Sequence, residues 1–142
     1  MRPLLTATAV AVLVAGLLVP QRVHAEDQVQ ADARVQSGKI AYEKYCTSCH
    51  GAAGAPGSAV CAKTKKPIDL RTYVERNGGK FPTSKWFNAV FIPEPGAVHT
   101  PVWETIRKEQ VVSALQTAGE RDDMARGVVA HVADYIISIQ RK

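Results

Sequence analysis

The sequence predicts an all-α protein, and two observations support that fold class. No segment alternates apolar and polar residues over a useful length, which is the pattern of a half-buried strand. Apolar residues instead recur in several segments at the three- and four-residue spacing of an amphipathic helix. The longest of these segments runs from about Arg121 to Gln140. One face of it carries Val128, Val132, Tyr135, Ile136 and Ile139.

The first 25 residues have the pattern of a secretory signal peptide. Met1 and Arg2 give a short positive start, and an apolar run of 16 residues without a charge extends from Leu4 to Val19. A small-residue cleavage site follows and ends at Ala25. Because a helix needs about 20 apolar residues to cross a bilayer, a cleaved signal is favoured over an uncleaved anchor. We therefore expect export to the periplasm and a mature protein that does not span the membrane.

Residues 26–142 are long enough for one small domain. Residues 26–31 are polar and are expected to form a loose leader. The domain has 16 basic and 13 acidic residues, which is a net charge of +3. This charge fits docking to a partner protein with an acidic surface, and it is far too weak to indicate nucleic-acid binding.

Helical spacing predicts the first helix of the domain over residues 32–45. Gly38 lies inside this helix, where glycine is unfavourable by propensity. We expect close packing of Gly38 against another element as the compensation. The predicted inward stripe consists of Val35, Ile40, Ala41 and Tyr45.

Two loops and a short helix are predicted next. Residues 51–57 are only Gly, Ala and Pro, which indicates a loop without bulky side chains. Residues 63–67 form a basic loop, which is typical of a solvated surface. Residues 69–76 can make a short helix, and the run from Asn77 to Gly79 ends it.

The second half of the domain is predicted to hold two further helices before the C-terminal one. Thr83 or Ser84 can cap the first of these. Three prolines exclude helix and central strand from residues 92–101, so we expect an extended loop that ends in Trp103. Residues 110–117 are predicted to be helical, with an interruption at Gly119. The buried side of the helix after Ser84 is expected to contain Trp86, Phe87, Val90 and Phe91.

The pentapeptide Cys46–His50 carries the chemistry of this chain. Two thiols, Cys46 and Cys49, are separated by two residues, and His50 follows at once. This is the attachment pattern of c-type haem, in which two cysteine sulfurs form thioethers with the porphyrin and the adjacent histidine binds iron. Covalent attachment of haem also fits export, because it prevents loss of the iron outside the cytoplasm.

Two other uses of a pair of thiols fit this chain less well. A zinc site would need two further ligands at a partner spacing, and the sequence contains only one other cysteine, Cys61. A redox dithiol would accompany a βαβ pattern, which the sequence lacks. We therefore predict one haem c, with Cys46 and Cys49 binding the porphyrin and His50 binding the iron.

Together these residues make the chain resemble the class I monohaem cytochromes c. The resemblance implies four to five short helices around one covalently bound haem. It also implies that the first and last helices cross near a haem edge, with Gly38 on one meeting Tyr135 on the other. The residues that carry it are Gly38–Tyr42, Tyr45, Cys49–Gly51, Pro67–Leu70, Asn77–Pro82, Pro101–Trp103 and Asp134–Ile136.

The chain departs from this family at the sixth iron ligand. The family has a methionine before the motif Pro-x-Trp, and here that position is Thr100, whose hydroxyl is a poor ligand. Four alternatives stay open. His99 can bind the iron from the neighbouring position, or the site is open or holds water. Cys61 as a thiolate and Met124 are the other two.

Electron transfer in the periplasm is the function that the resemblance implies. The sequence offers no acid–base pair, nucleophile–base pair or phosphate loop, so an electron carrier is favoured over an enzyme. Two alternatives are a haem protein that binds or reduces a small molecule at an open iron, and a haem subunit of a larger oxidoreductase. The expected dry pocket is formed by Trp86, Phe87, Trp103 and Tyr135. The expected docking rim is formed by Lys63, Lys65, Lys66, Lys80 and Lys85. His131 is expected to be a partly buried structural histidine.

Overall fold

A computed structural model describes residues 8–60, 65–91, 99–110 and 116–141, with side chains from residue 25 onward. Helix is the only regular structure of length in these ranges, so the all-α prediction is confirmed. The chain divides into two compact units, Met1–Ala33 and Arg34–Lys142. Among the described residues, no helix has both the length and the apolar character required to cross a membrane.

The elements follow one another in a simple order. Two short 3-10 turns, Ala52–Gly54 and Leu70–Thr72, lie between the longer helices. Val60 and Pro67 form an isolated bridge. The α-helices are α1 (Thr8–Tyr45), α2 (Thr47–His50), α3 (Tyr73–Arg76), α4 (Thr83–Phe91), α5 (Thr100–Glu109) and α6 (Ala118–Ser138).

The prediction of a loose leader over residues 26–31 is wrong, because these residues are part of α1. Residues 25–33 contain neither Gly nor Pro and are rich in Ala, Gln and acidic side chains, several of which favour helix. A hydrogen bond from Gln28 Nε2 to Asp32 Oδ1 (3.0 Å) joins two successive turns of this stretch. The signal peptide over residues 1–25 stays a prediction.

The inward face of the C-terminal part of α1 differs from the predicted stripe at one position. Ile40 is 68% exposed, so its placement in the core is wrong. Gly38 and Tyr42 are buried instead, with Val35 and Tyr45 partly buried on the same face. These four positions have the i, i+3, i+7, i+10 spacing of one helix face, and Ile40 does not lie on that face.

Gly38 marks the point where α1 meets α6. A Cβ atom built on Gly38 would lie only 1.8 Å from the carbonyl oxygen of His131 and 3.1 Å from Tyr135 Cβ. The expected compensation for a glycine in this helix is therefore confirmed: the two backbones approach too closely for any side chain. One turn further along, the rings of Tyr42 and Tyr135 pack with centroids 5.4 Å apart.

Helix α6 supplies most of the core and agrees with the prediction. It begins at Ala118, and Gly119 lies in its first turn without interrupting it. Among the described residues, this helix contributes more than half of the buried side chains. The buried side chains are Tyr42, Leu70, Trp86, Trp103, Ile106, Ala125, Val129, Val132, Ala133, Tyr135 and Ile136.

The short helix predicted over residues 69–76 and the helix after Thr83 are both present. Asp69 accepts a hydrogen bond from the backbone N–H of Arg71 (3.0 Å) and so caps the turn Leu70–Thr72. Gly78 and Gly79 follow α3 with positive φ angles of 65° and 82°. Trp86 is buried in α4, and the other three predicted apolar residues of that helix pack against the core.

Two predictions between residues 92 and 117 are wrong where the structure describes them. The extended loop was expected to reach Trp103, but α5 begins at Thr100, because Pro101 occupies the first helical turn, where its missing N–H costs nothing. Gln110 ends α5, and Thr117 caps α6 in a reciprocal pair of hydrogen bonds with Glu120. The predicted helix over residues 110–117 is therefore absent at both of its ends. Residues 111–115 lie outside the described part.

Candidate functional site

The pentapeptide Cys46–His50 follows α1 almost without a break. The backbone N–H of Cys46 donates to Tyr42 O (2.9 Å), and that of His50 donates to Cys46 O (2.9 Å). The motif is thus one helical turn, in which positions i, i+3 and i+4 share a face. Cys46, Cys49 and His50 occupy these three positions.

Both thiols of the motif are free, but their surroundings differ. Cys46 packs against the core as a partly buried residue. Burial, and then the nearby Cys49, raise the pKa of the Cys46 thiol to about 11. Cys49 is exposed. One thiol therefore faces the interior of the fold and the other faces its surface.

His50 has the properties of a metal ligand. Its Nδ1 atom is buried and has no hydrogen-bond partner among the described residues. Buried polar atoms without partners are rare and call for an explanation, such as an absent ion or group. Burial, and then the proximity of His99, lower the pKa of His50. The imidazole is therefore kept in its neutral form, which is the form that binds metals.

The structure brings His99 opposite His50. The two imidazole rings are nearly parallel, at 18°, with their centroids 6.0 Å apart. His99 is the residue that precedes α5, and Nδ1 of its ring lies 2.8 Å from the carbonyl oxygen of Ala89 in α4. Because a carbonyl can only accept, Nδ1 is the donor in this contact, which leaves Nε2 as the ring atom that could bind a metal. Histidines that bind metals usually hold their second nitrogen in this way.

The loop after the motif is packed directly on the motif's backbone. A Cβ atom built on Gly57 would lie 2.4 Å from Cys49 O and 2.5 Å from Gly51 N. The backbone N–H of Ala59 donates to Cys49 O (2.8 Å). This loop also begins with a left-handed residue, Gly51, at φ 73°. The contact leaves no room for a side chain at residue 57.

Tyr42 fixes the same turn from the other side. It is fully buried, and its hydroxyl donates to Gly51 O (2.8 Å) and, at longer range, to His50 O (3.3 Å). Burial raises the pKa of Tyr42 to about 12, so the hydroxyl stays protonated and remains a donor. Sequence reasoning missed both Tyr42 and Gly57 as site residues, because the atoms they contact belong to the backbone.

The four aromatic residues predicted to form a dry pocket all belong to the hydrophobic cluster. Trp86, Trp103 and Tyr135 are at most 7% exposed, and Phe87 packs against them as a partly buried residue. Phe91 and Phe87 together link the two tryptophans, since Phe87 contacts Trp86 (5.4 Å between ring centroids). The ring of Phe91 is perpendicular to that of Trp103 at 5.2 Å, and it stacks on Phe87 at 5.0 Å.

The remaining candidate residues are distributed as follows. Met124 is 39% exposed on α6, and its Sδ accepts a hydrogen bond from Gln116 Nε2 (2.9 Å). Cys61 and Lys63 lie outside the described residues. His131 is partly buried, as predicted. The exposed lysines of the predicted docking rim are Lys65, Lys66, Lys80 and Lys85.

The residues brought together here are of the types that a haem c site would use. Cys46 and Cys49 are free thiols beside His50, which has a buried nitrogen without a partner among the described residues, and the imidazole of His99 lies opposite. In the described part of the chain, no three His, Cys, Asp or Glu side chains are grouped to hold a metal ion by themselves. No protein family, curated protein or solved structure matches this chain.

Proposed function

We propose that the protein is a periplasmic monohaem c-type cytochrome with the class I fold, which carries single electrons between redox partners. Cys46 and Cys49 bind the porphyrin covalently, and His50 and His99 bind the iron. The observation that carries this proposal is the nearly parallel pair of imidazoles His50 and His99, 6.0 Å apart between ring centroids. The crossing of α1 and α6 at Gly38 supports the fold, because the resemblance implies it at this residue.

When bound, haem supplies a one-electron iron couple, and the residues of this chain would set its reduction potential and its exposure to water. His50 and His99 offer imidazole nitrogen donors, and ligation without a methionine thioether favours a lower potential than Met/His ligation. The hydrogen bond from His99 to Ala89 O holds the second imidazole in orientation. Trp86 and Trp103 keep water from the interior, because both are buried.

The pair of histidines favours an electron carrier over a haem protein with an open iron. An open site binds small molecules because one axial position has no protein ligand. Here a second imidazole lies opposite His50, and Nδ1 of that ring is the atom that contacts Ala89 O. Cys61 stays an untested alternative as ligand, and Met124 is engaged with Gln116 on the exposed side of α6.

The distribution of charge supports an acidic partner. Residues 46–91, which carry the attachment motif, contain seven basic and two acidic residues, a net charge of +5. Residues 26–45 and 92–142 each have a net charge of −1. The positive charge of the domain is therefore concentrated on the segment that holds the haem site, and it would steer an acidic redox protein toward that site at low salt.

Absorption spectra of the purified protein and of His99→Ala test this assignment. We expect a low-spin, six-coordinate ferric spectrum without a methionine-to-iron band in the wild type, and a high-spin spectrum in His99→Ala. Met124→Leu is the matched control and should keep the low-spin spectrum. A wild-type spectrum that His99→Ala leaves unchanged would exclude His99 as the ligand, and a high-spin wild type would support the open-site alternative.

A further inference from the structure

Three side chains join the far end of α5 to the residues just before the attachment motif. Glu109 Oε2 accepts from Lys44 Nζ (2.5 Å) and from the hydroxyl of Tyr45. The ammonium of Lys44 also lies 5.0 Å from the centroid of the Tyr45 ring. We call this group of Lys44, Tyr45 and Glu109 the α5 clamp. It connects residues that are more than 60 positions apart in sequence.

The clamp joins the two segments of the chain that carry His50 and His99. Tyr45 is bonded to Cys46, so one side of the clamp belongs to the turn that carries His50. Glu109 is the last residue of α5, and His99 immediately precedes the first. The carbonyl of His99 accepts the N–H of Trp103 (3.0 Å), which makes His99 part of the helix's first turn.

Helix α5 can transmit this restraint because it is short and regular. Its ten residues span about 15 Å, and a helix of three turns moves as a rigid body. Trp103 and Ile106 anchor its middle in the core, with exposed fractions of 4% and 2%. The clamp restrains the tilt of α5 about this anchor, together with the ion pair between Arg107 and Asp122 of α6. A change in this tilt would change the distance between His99 and His50.

We infer that Glu109 is a positioning residue for the sixth iron ligand, which it keeps bound through Lys44 and Tyr45. This inference rests on the proposed function, since it requires haem bound by His50 and His99. Glu109 touches neither histidine; it acts only by holding α5. Losing the clamp would make His99 leave the iron more readily without preventing haem attachment.

A matched control lies on the same helix. Glu104 has the same charge, is about half exposed, and among the described residues forms its ion pair with Arg107 within α5 (3.1 Å). Glu104→Gln therefore removes the same charge from α5 as Glu109→Gln does. It leaves the contacts of Glu109 with Lys44 and Tyr45 intact. A second variant, Tyr45→Phe, removes the hydroxyl and keeps the Lys44–Glu109 ion pair.

The test is the rate at which carbon monoxide binds to the reduced holoprotein. At saturating carbon monoxide this rate is limited by dissociation of His99. Glu109→Gln keeps an oxygen acceptor but removes the charge of the ion pair with Lys44, and we expect it to raise the rate by up to about fivefold. Tyr45→Phe should raise the rate by a smaller factor. Glu104→Gln should match the wild type. A contact that only stabilises the fold would lower the unfolding temperature without changing this rate in the folded protein.

Three outcomes would overturn the inference. Equal rates in Glu109→Gln, Glu104→Gln and the wild type would show that the clamp does not position His99. Equal increases in both glutamate variants would assign the effect to charge. A haem-loaded wild type that binds carbon monoxide without displacing a ligand would show that His99 does not bind the iron. The first two results concern the inference alone, and the third also corrects the iron ligand of the proposed function. Failure of haem attachment itself would appear earlier, as a wild-type protein without attached haem.

Discussion

The attachment segment and the helical frame around it are held by different kinds of contact. Residues 46–60 contain no acidic residue, lysine or arginine, and they are fixed by backbone hydrogen bonds and by glycines packed on the backbone. The frame of α1, α4, α5 and α6 is held by interlocked side chains such as Ile136 and Trp103. The comparison teaches that precision at the site and stability of the fold have separate sources, so substitutions can alter one without the other.

The sharpest test of this separation is Gly57→Ala. An added methyl group would stand 2.4 Å from Cys49 O, so the loop must move off the motif. We expect nearly complete loss of covalently bound haem in cells with maturation machinery, measured by haem staining of the denatured protein. The apoprotein should keep its helical circular dichroism.

Gly119→Ala is the matched control for Gly57→Ala. Its new methyl group would meet only Thr117 Oγ1, at 3.9 Å, among the described atoms. We expect normal haem attachment in this variant. Equal haem content in Gly57→Ala and Gly119→Ala would show that the loop does not hold the motif in place.

In the frame, the largest expected effect comes from Ile136→Ala. Ile136 is 2% exposed, and truncating such a residue removes buried surface and leaves a cavity. We expect a loss of about 2–5 kcal/mol in the free energy of unfolding, measured with urea. Ile40→Ala is the control, because Ile40 is 68% exposed and should cost less than about 0.5 kcal/mol. Similar losses in the two variants would contradict the observed inward face of α1.

Gly38→Ala tests the crossing of the two long helices. The new methyl group would overlap His131 O, since an ideal Cβ lies 1.8 Å from it, and α1 would have to shift away from α6. We expect a loss of about 3 kcal/mol in the urea unfolding free energy. Gly127→Ala in α6, with no described atom within 4 Å of its new Cβ, should instead gain up to about 1 kcal/mol. A Gly38→Ala protein as stable as the wild type would exclude the close approach.

The smallest expected effect concerns acid stability and Asp69. Its carboxylate pairs with Arg71 (2.8 Å) and Arg141 (3.2 Å), and the hydrogen bond from Arg71 contributes most to lowering the pKa of Asp69 to about 2. A depressed pKa stabilises the fold above the ordinary carboxyl pKa of about 4, and this contribution is lost as the pH falls toward 2.

We expect Asp69→Asn to cost about 1–2 kcal/mol at pH 7, with the difference from the wild type vanishing near pH 2. Unfolding free energies measured across that range would check both statements. A difference between the two proteins that does not depend on pH would mean that the ion pairs contribute nothing through the charge of Asp69.

The predictable parts of the site are those formed by residues that are adjacent in sequence. Cys46, Cys49 and His50 form one turn, and His99 is conspicuous because it adjoins Thr100, where the family that the sequence resembles has its methionine. Tyr45 and Glu109 could not be paired from sequence, because their contact depends on how α5 lies against α1. Gly57 was placed in a loop, but its contact with Cys49 O is a property of the folded backbone.

The fold class and the C-terminal helix are predictable because α6 repeats its apolar face over about three turns. The sequence does not predict helix α5, because proline usually breaks a helix, but Pro101 stands in the first turn, where proline is favourable. The start of α6 was also misplaced. The pattern Thr117-x-x-Glu120 is a capping box and indicates that a helix begins after Thr117. It is a better guide to the start of α6 than the apolar residues that precede it.

The intact mass of the mature protein, purified from a host that attaches haem to exported proteins, tests the central claim most directly. We expect the mass of residues 26–142 plus one haem, retained after denaturation and lost when Cys46 and Cys49 are both replaced by serine. A colourless protein with the mass of the bare polypeptide would contradict the proposal that Cys46–His50 is a haem attachment site.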